Sequence, residues 1–447
     1  MQKLEKAPKW SSKKNITSTV KLLNNEDMLP LTKKINEEYL YWDKVKYQNI
    51  PNYLTHKELW AVIKLKRYSL AKVLKFGNYT FQFNITDLMQ QQLHQFDMSL
   101  GGSLESKSLI PDNEKQRYMV SSIMEEAIAS SQLEGAITTR KKAKEMLRKN
   151  KKPSNKSEQM ILNNYNTIKH IVNNKNQNLT KTALLNIHKL VTKNTLDKNK
   201  DEGVFRKNNE TRVVDPYDGQ VHHIPPHYKE LNKLISALCF FFNDEKDDFF
   251  IHPIIKASII HFMIGYIHPF VDGNGRTARA LFYWYLLRKG YWLTEFLSIS
   301  KLIIKTRIQY AKAFQYSEID DNDITYFIKY NLRAMDLAFE DLKKYIRRKL
   351  KEKKKIIEFQ RIKDVNERQA IILKWLYEEP NLMFTVKEIE TRFSISNQTA
   401  RTDLTNLVKK GFMELIFLNK KKQAFGKSKK FDKLISKLKI NNHEWIK

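Results

Sequence analysis

Residues 268–279 read His-Pro-Phe-Val-Asp-Gly-Asn-Gly-Arg-Thr-Ala-Arg, and this run constrains the rest of the chain more than any other. It places an imidazole, a carboxylate, a Gly-Asn-Gly turn and two guanidinium groups ahead of a helical pattern through Ala280, Leu281, Trp284 and Leu287. Gly273 and Gly275 lack Cβ atoms, so the turn can take unusual dihedrals and bring backbone N–H groups close to an anion. If Asn274–Thr277 opens the helix, its first amides have no intrahelical acceptor and the helix dipole favours negative charge there. Arg276 and Arg279, three apart, are expected to project from one face and grip phosphate oxygens. Asp272 is the hard oxygen ligand that Mg2+ on a nucleotide requires. His268 is left to take a proton from an attacking hydroxyl. A Gly-rich helix start with a core histidine and solvated arginines is the competing explanation, and it must account for all these residue types falling together.

The run resembles, at every fixed position, the Fic (Fic/Doc) family signature His-x-Phe-x-Asp/Glu-Gly-Asn-Gly-Arg-x-x-Arg. The resemblance implies transfer of AMP from ATP to a Ser, Thr or Tyr hydroxyl of a target protein or of the chain itself. His268 would then be the base and Asp272 the Mg2+ ligand. Gly273, Asn274 and Gly275 would form the anion hole, continued by Thr277 and Ala278, with Arg276 and Arg279 on the triphosphate.

Upstream, Val120, Ile123, Met124, Ala127 and Ile128 recur at the spacing of an amphipathic helix. At about 100° per residue, position 134 returns to the same face as Val120, so Glu134 is expected to point inward. A carboxylate on a buried face needs a cation. Ser130-Ser131-Gln132-Leu133-Glu134-Gly135 is similar to the family's inhibitory motif, Ser/Thr-x-x-x-Glu-Gly/Asn. By that resemblance Glu134, with Ser130, pairs with Arg279 and denies it to the γ-phosphate. The alternative is a helix-end glutamate that caps locally, with Gly135 as C-cap.

Between these stretches, residues 210–214 and 220–224 flank a Pro-Tyr-Asp-Gly turn and read as a hairpin. In the family the corresponding hairpin is a flap that registers the target segment by main-chain pairing, here through Val213 and Val214. His222, His223 and His227 have no metal-site spacing and read as surface residues. Ser300, Lys301 and Tyr310 fall where the family lines its adenosine pocket. Members often carry a Tyr-Tyr pair where this chain has Tyr310-Ala311, which leaves the adenine-stacking partner open.

The chain has 447 residues, 41% of them hydrophobic, enough for several domains. Its one cysteine, Cys239, excludes an intramolecular disulfide and fits a reducing compartment. The Lys- and Asn-rich first 30 residues do not resemble a secretory signal. Residues 249–270, interrupted by His252, Lys256, His261 and His268, read as a buried helix and not a membrane span. We therefore expect a cytoplasmic protein. Lys and Arg number 80 against 49 acidic residues, a formal charge of +31, which attracts anionic partners. The joint abundance of Lys, Asn and Ile also fits a biased coding sequence.

We expect a mainly α protein. Residues 1–35 should be poorly ordered, 36–114 a helical N-terminal module, and 115–330 a Fic-type core with a hairpin flap. Residues 331–365 read as a basic helical linker and 366–447 as a winged helix-turn-helix domain. In the last, Asn397, Gln398, Thr399 and Arg401 begin the second helix and are candidate contacts to duplex DNA, with lysines of 419–430 on phosphates. Winged helices also dock proteins. The activity expected from the resemblance is autoinhibited AMP transfer. A Fic-type transferase of another nucleotide or phospho-group, a nucleotide-sensing DNA-binding regulator, and the oligomeric state all stay open.

Overall fold

The computed structural model describes residues 4–10, 19–23, 28–101, 112–214, 219–243, 248–417 and 423–440. The chain divides into two compact units, Met1–Leu342 and Lys343–Lys447.

After a helical stretch at 19–23, the first unit continues with α1 (Met28–Glu37) and α2 (His56–Leu70), the latter held at its start by a Thr55–Glu58 capping box. The expectation of disorder before residue 36 does not hold for residues 28–35. Met28, Thr32 and Ile35 form an i, i+4, i+7 stripe buried with Tyr39, Trp42, Leu59 and Trp60. The polar average composition of this segment conceals that stripe.

The N-terminal module is also not purely helical. Strands β1 (Lys72–Phe76) and β2 (Tyr79–Phe83) pair antiparallel around Gly77-Asn78, with Phe76, Phe81 and Phe83 buried. Gly77 takes φ +60°, a conformation that suits glycine in a two-residue hairpin turn. Helix α3 (Asp87–Phe96) follows. A buried polar knot ties this region to the turn after residue 319. Lys64 Nζ lies 2.9 Å from Asp320 Oδ1, and the Tyr39 hydroxyl donates to Asp323 at 2.7 Å. Fully desolvated charges persist only when paired in this way.

The centre of the unit is helical. Helices α4 (Asp112–Leu133), α5 (Arg140–Arg148), α6 (Lys156–Asn173) and α7 (Lys181–Thr192) precede the short strands β3 (Val213–Val214) and β4 (Val221–His223). Residues 215–218, the expected turn between β3 and β4, lie outside the described residues. Helices α8 (Leu231–Phe242), α9 (Pro253–Ile267) and α10 (Asn274–Arg288) follow. α9 is apolar on all faces and almost wholly buried, and it packs on α10. Helices α11 (Ile299–Lys305) and α12 (Arg307–Ile319) lead into the long α13 (Thr325–Gln360). The basic linker expected from residue 331 is the continuation of α13. Leu332, Met335, Phe339 and Leu342 on it are core residues, so its start belongs to the first unit.

The second unit holds α14 (Glu367–Glu378), β5 (Met383–Phe384), α15 (Val386–Phe393), α16 (Asn397–Lys409), β6 (Met413–Phe417), β7 (Gln423–Lys427) and α17 (Phe431–Ile440). The strand order is β5-β7-β6, all antiparallel, and Ile372, Leu376, Ile389, Leu404 and Phe431 are buried beneath. Four helices with a small antiparallel sheet that includes the paired β6 and β7 agree with the winged helix-turn-helix class expected at this end of the chain. Among the described residues no helix is long and apolar enough to cross a membrane.

Candidate active site

His268 ends α9 in the left-handed conformation, φ 47° and ψ 59°, which turns the chain out of the helix. Its Nδ1 lies 3.1 Å from the Gly265 carbonyl oxygen. A carbonyl only accepts, so the proton sits on Nδ1 and a neutral ring presents Nε2 as an acceptor. Burial holds the imidazole well down, to about 4, outweighing the Gly265 hydrogen bond. At neutral pH the ring is therefore uncharged.

The loop after His268 is closed by one side chain. Asn274 Oδ1 accepts from Phe270 N at 3.0 Å and its Nδ2 donates to Phe270 O at 2.8 Å. Gly273 occupies the N-cap of α10 with φ 82° and offers no side chain to the first-turn amides. A Cβ there would meet Thr192 Cγ2 at 2.6 Å, so only glycine fits. Asp272 Oδ1 accepts from Gly273 N at 2.6 Å, and its side chain is 59% exposed.

The two arginines diverge, contrary to the expectation of one shared face. Arg279 donates from Nε to Ser130 Oγ (2.9 Å) and from Nη2 to Ser130 O (3.1 Å) and to Glu134 Oε1 (3.0 Å). Arg276 donates to Val191 O at 3.1 Å, approaches Asp272 only to 3.7 Å, and leaves its buried Nε without a partner. Roughly 60° of helix rotation separates positions i and i+3, enough to send the two guanidinium groups to different neighbouring helices, α4 and α7. Desolvation lowers the Arg276 pKa from its usual value. Thr277 is wholly buried with an unpartnered hydroxyl, and Ala278 lines the cavity described next.

Glu134 follows the last turn of α4, with Gly135 behind it at φ 94°. Its carboxylate lies over the start of α10, so that a Cβ on Gly275 would meet Oε1 at 2.3 Å. Glu134, His268, Asn274, Gly275 and Arg279 share a cavity of about 340 Å3 with Val213, His222 and His223 of the hairpin and Tyr310, Phe314 and Gln315 of α12.

Several sequence-based expectations change here. Val213 reaches the cavity, whereas Val214 is 49% exposed. His223 is buried, not superficial: Nδ1 is 2.7 Å from Glu318 Oε2 and Nε2 is 2.7 Å from Tyr266 O. Ser300 and Lys301 do not line the cavity. Ser300 is buried against Glu126, donating from its backbone N at 3.1 Å and from Oγ, and Lys301 pairs with Asp341 at 3.2 Å. Tyr310 does line the cavity, its hydroxyl 2.9 Å from His261 Nε2. Burial holds His261 at about 3.

Sequence reasoning missed three residues. Glu126 is buried on α4, where desolvation raises its carboxyl pKa, and it accepts from Ser298 and Ser300. Its place within the Ile123-Met124-Ala127 stripe was the available signal. His188 accepts from Gly203 N through Nδ1 (2.9 Å), donates from Nε2 to Asp272 O (2.8 Å) and stacks on Phe270. Arg206 donates to His268 O at 2.9 Å. The partners of these last two are mostly main-chain atoms, which leave no mark in a sequence.

In the second unit Asn397, Gln398 and Arg401 are exposed at the start of α16, and Asn397 donates to Glu390 at 2.9 Å. Thr399 is half-buried and its amide is capped by Ser396. Of the expected wing, 418–422 lie outside the described residues.

Residues 178–286 match the model of the Fic/DOC family, and residues 368–416 match that of the DeoR-like helix-turn-helix domain. A protein adenylyltransferase Fic of Nematostella vectensis is 33% identical over 121 residues, 26% of this chain and 26% of its own length. One of Culex quinquefasciatus is 34% identical over 158 residues, 35% of this chain and 28% of its own. The chain thus spans about a quarter of the length of the curated relatives it matches. A solved Fic family protein of Desulfovibrio desulfuricans G20 aligns with a TM-score of 0.49 and 17% identity, covering 76% of this chain and 94% of that one. Residues 178–286 are thus similar to the Fic/DOC family and residues 368–416 to the DeoR-like helix-turn-helix domain.

Proposed function

We propose that this protein transfers AMP from ATP to a protein hydroxyl and that its own Glu134 holds the reaction off. The observation that carries the reading is the Glu134 carboxylate seated on Arg279, 3.0 Å away, against Gly275 at the opening of α10. A helix start with a glycine N-cap and a buried guanidinium suits an anion. Here an anionic side chain from elsewhere in the chain occupies that place.

With Glu134 withdrawn, triphosphate oxygens take its position on Arg279 and on the first amides of α10. Arg276, buried with an unpartnered Nε, adds positive charge behind the same turn. His268 Nε2 accepts the proton of the target hydroxyl as that oxygen bonds to the α-phosphorus. The bond from the α-phosphorus to the bridging oxygen breaks, and pyrophosphate leaves. Positioning and charge stabilisation are what such transfers require of a protein.

Among the described residues no group of three or more metal-ligating side chains exists, and Asp272 offers a single exposed carboxylate. That donor set fits Mg2+ held mainly by nucleotide phosphates and water, with Asp272 as its protein ligand. Bound there, the cation neutralises charge on the phosphates. Ala311, in place of a second tyrosine, lines the cavity beside Tyr310 and leaves room for a base other than adenine. Substrate would be a target protein or the chain itself, and duplex DNA is a candidate partner for the exposed start of α16.

The test is to incubate the Glu134→Gly protein with Mg2+ and each common nucleoside triphosphate and to weigh the intact protein. Added AMP mass supports the reading. Another adduct replaces the donor, and no adduct in a folded protein refutes transfer to self.

A further inference from the structure

The last carbonyls of any helix lack intrahelical donors, and those at the end of α9 are met in an unusual way. Gly265 O accepts from His268 Nδ1 at 3.1 Å and Tyr266 O from His223 Nε2 at 2.7 Å. Just past the helix, the C-cap His268 O accepts from Arg206 Nε at 2.9 Å, and Pro269 O accepts from Arg206 N at 2.9 Å. Three of these four donors belong to the segment that carries β3 and β4. The loop over the cavity is therefore also the cap of the helix that ends in His268.

Arg206 is the centre of this arrangement and is only 4% exposed. Its Nη1 donates to Asn208 O at 2.9 Å and its Nη2 to Pro226 O. Asn208 precedes β3 and Pro226 follows β4, so one guanidinium binds both feet of the hairpin to each other and to the main chain of His268. A planar fork with donors in fixed directions can reach three carbonyls at once, which an ammonium on a flexible stem cannot do with the same geometry. The cation also lies at the negative end of the α9 dipole.

We propose that Arg206 is a positioning residue that makes the hairpin and His268 one mechanical unit. A target segment seated on the hairpin then meets an Nε2 whose direction is already set. This rests on the reading of His268 as the base, and Arg206 itself touches neither nucleotide nor target. A residue that only stabilised the loop would leave the chemical step and the His268 ring unaffected once the protein was folded.

The experiment uses Glu134→Gly as parent and adds Arg206→Gln or Arg206→Lys. Single-turnover incorporation of labelled AMP into the chain is followed alongside ATP affinity by equilibrium dialysis. We expect transfer to slow about 100-fold, the scale of a small misplacement of a reacting group. ATP affinity should change less than about twofold, because Arg279 and the α10 amides are held by other contacts. His268 is also followed by 15N shifts of labelled histidine. In the unaltered chain His223 and Arg206 lower and Glu134 raises the pKa of that ring, and Glu134 is absent from the parent. Replacing the Arg206 cation with Gln should raise its titration midpoint above that of the Glu134→Gly parent, because the guanidinium lowers it. Retained transfer, an unmoved midpoint, or ATP affinity lost in step with rate would overturn the proposal. If Arg206→Gln does not fold, Arg206→Lys, which keeps the charge and loses the fork, is judged on transfer and ATP affinity. A parent that incorporates no AMP contradicts the proposed function instead, and the coupling is then judged on the ring titration.

Discussion

Glu134 and Gly275 are in closest approach: a Cβ on Gly275 would lie 2.3 Å from Glu134 Oε1, while the same oxygen lies 3.0 Å from Arg279 Nη2. The glycine makes room for the acid. Gly275→Ala should therefore destabilise the protein by about 1–3 kcal/mol through overpacking. In a Glu134→Gly background the same change should be neutral or slightly stabilising, because alanine is the better helix former. Urea unfolding of the four proteins of this cycle gives the coupling directly. Equal destabilisation in both backgrounds would mean that the carboxylate does not rest there in solution.

Burial holds the His268 imidazole at about 4. Protonation abolishes a base, so a Glu134→Gly protein, which lacks the carboxylate that raises this value, should keep its transfer rate as pH falls from neutral to about 5 and lose it only at or below about 4. A rate profile with its acid limb near the ordinary histidine value of about 6.5 would show the ring to be hydrated.

Stability should follow pH in the same interval. His188 and His268 are held at about 4 and His261 at about 3, each chiefly by burial. Between these values and about 6.5 the unfolded chain binds protons that the folded chain does not, so stability falls as pH falls through that window. Over the whole window His188 and His268 each contribute up to roughly 3 kcal/mol and His261 up to roughly 5 kcal/mol, of which about 2 kcal/mol per group falls between pH 6.5 and pH 5. Chemical denaturation at pH 7 and pH 5 measures it, and a midpoint that does not move contradicts the burial of neutral rings.

Ser300 separates a structural role from a nucleotide-facing one. Its hydroxyl and amide both serve the buried Glu126 carboxylate. Ser300→Ala should lower stability by about 1–3 kcal/mol, since one donor to a buried acceptor is lost, and should leave ATP affinity intact. Weaker ATP binding at unchanged stability would restore the adenosine-side role expected from its position in the chain.

The exposed start of α16 carries Gln398 and Arg401. If the second unit binds duplex DNA, fluorescence anisotropy at several salt concentrations should give a steep logarithmic slope, and Arg401→Ala should reduce it by about one contact. No binding at about 50 mM salt removes DNA as a partner.

What the sequence disclosed depended on where the informative atoms lie. The turn that opens α10 was legible because its elements are contiguous within residues 268–279. The inward direction of Glu134 followed from helix phase, although its partner Arg279 is far along the chain. The divergence of Arg276 from Arg279 was not legible, because it depends on which helices stand opposite α10. Arg206 and His188 act mostly on main-chain atoms, so no side-chain pairing announces them. The β1–β2 hairpin was legible in principle, as alternating aromatics around Gly77-Asn78, but the glycine reads equally as a break between helices.

Whether Glu134 restrains a transfer that needs His268 is decided by the initial rate at which labelled AMP from Mg2+-ATP enters three proteins: the unaltered chain, Glu134→Gly, and Glu134→Gly with His268→Ala. We predict slow incorporation in the first, at least about tenfold more in the second, as when a contact worth about 1.4 kcal/mol is removed, and none in the third. Equal rates in the first two, or undiminished transfer without His268, would contradict the proposed function.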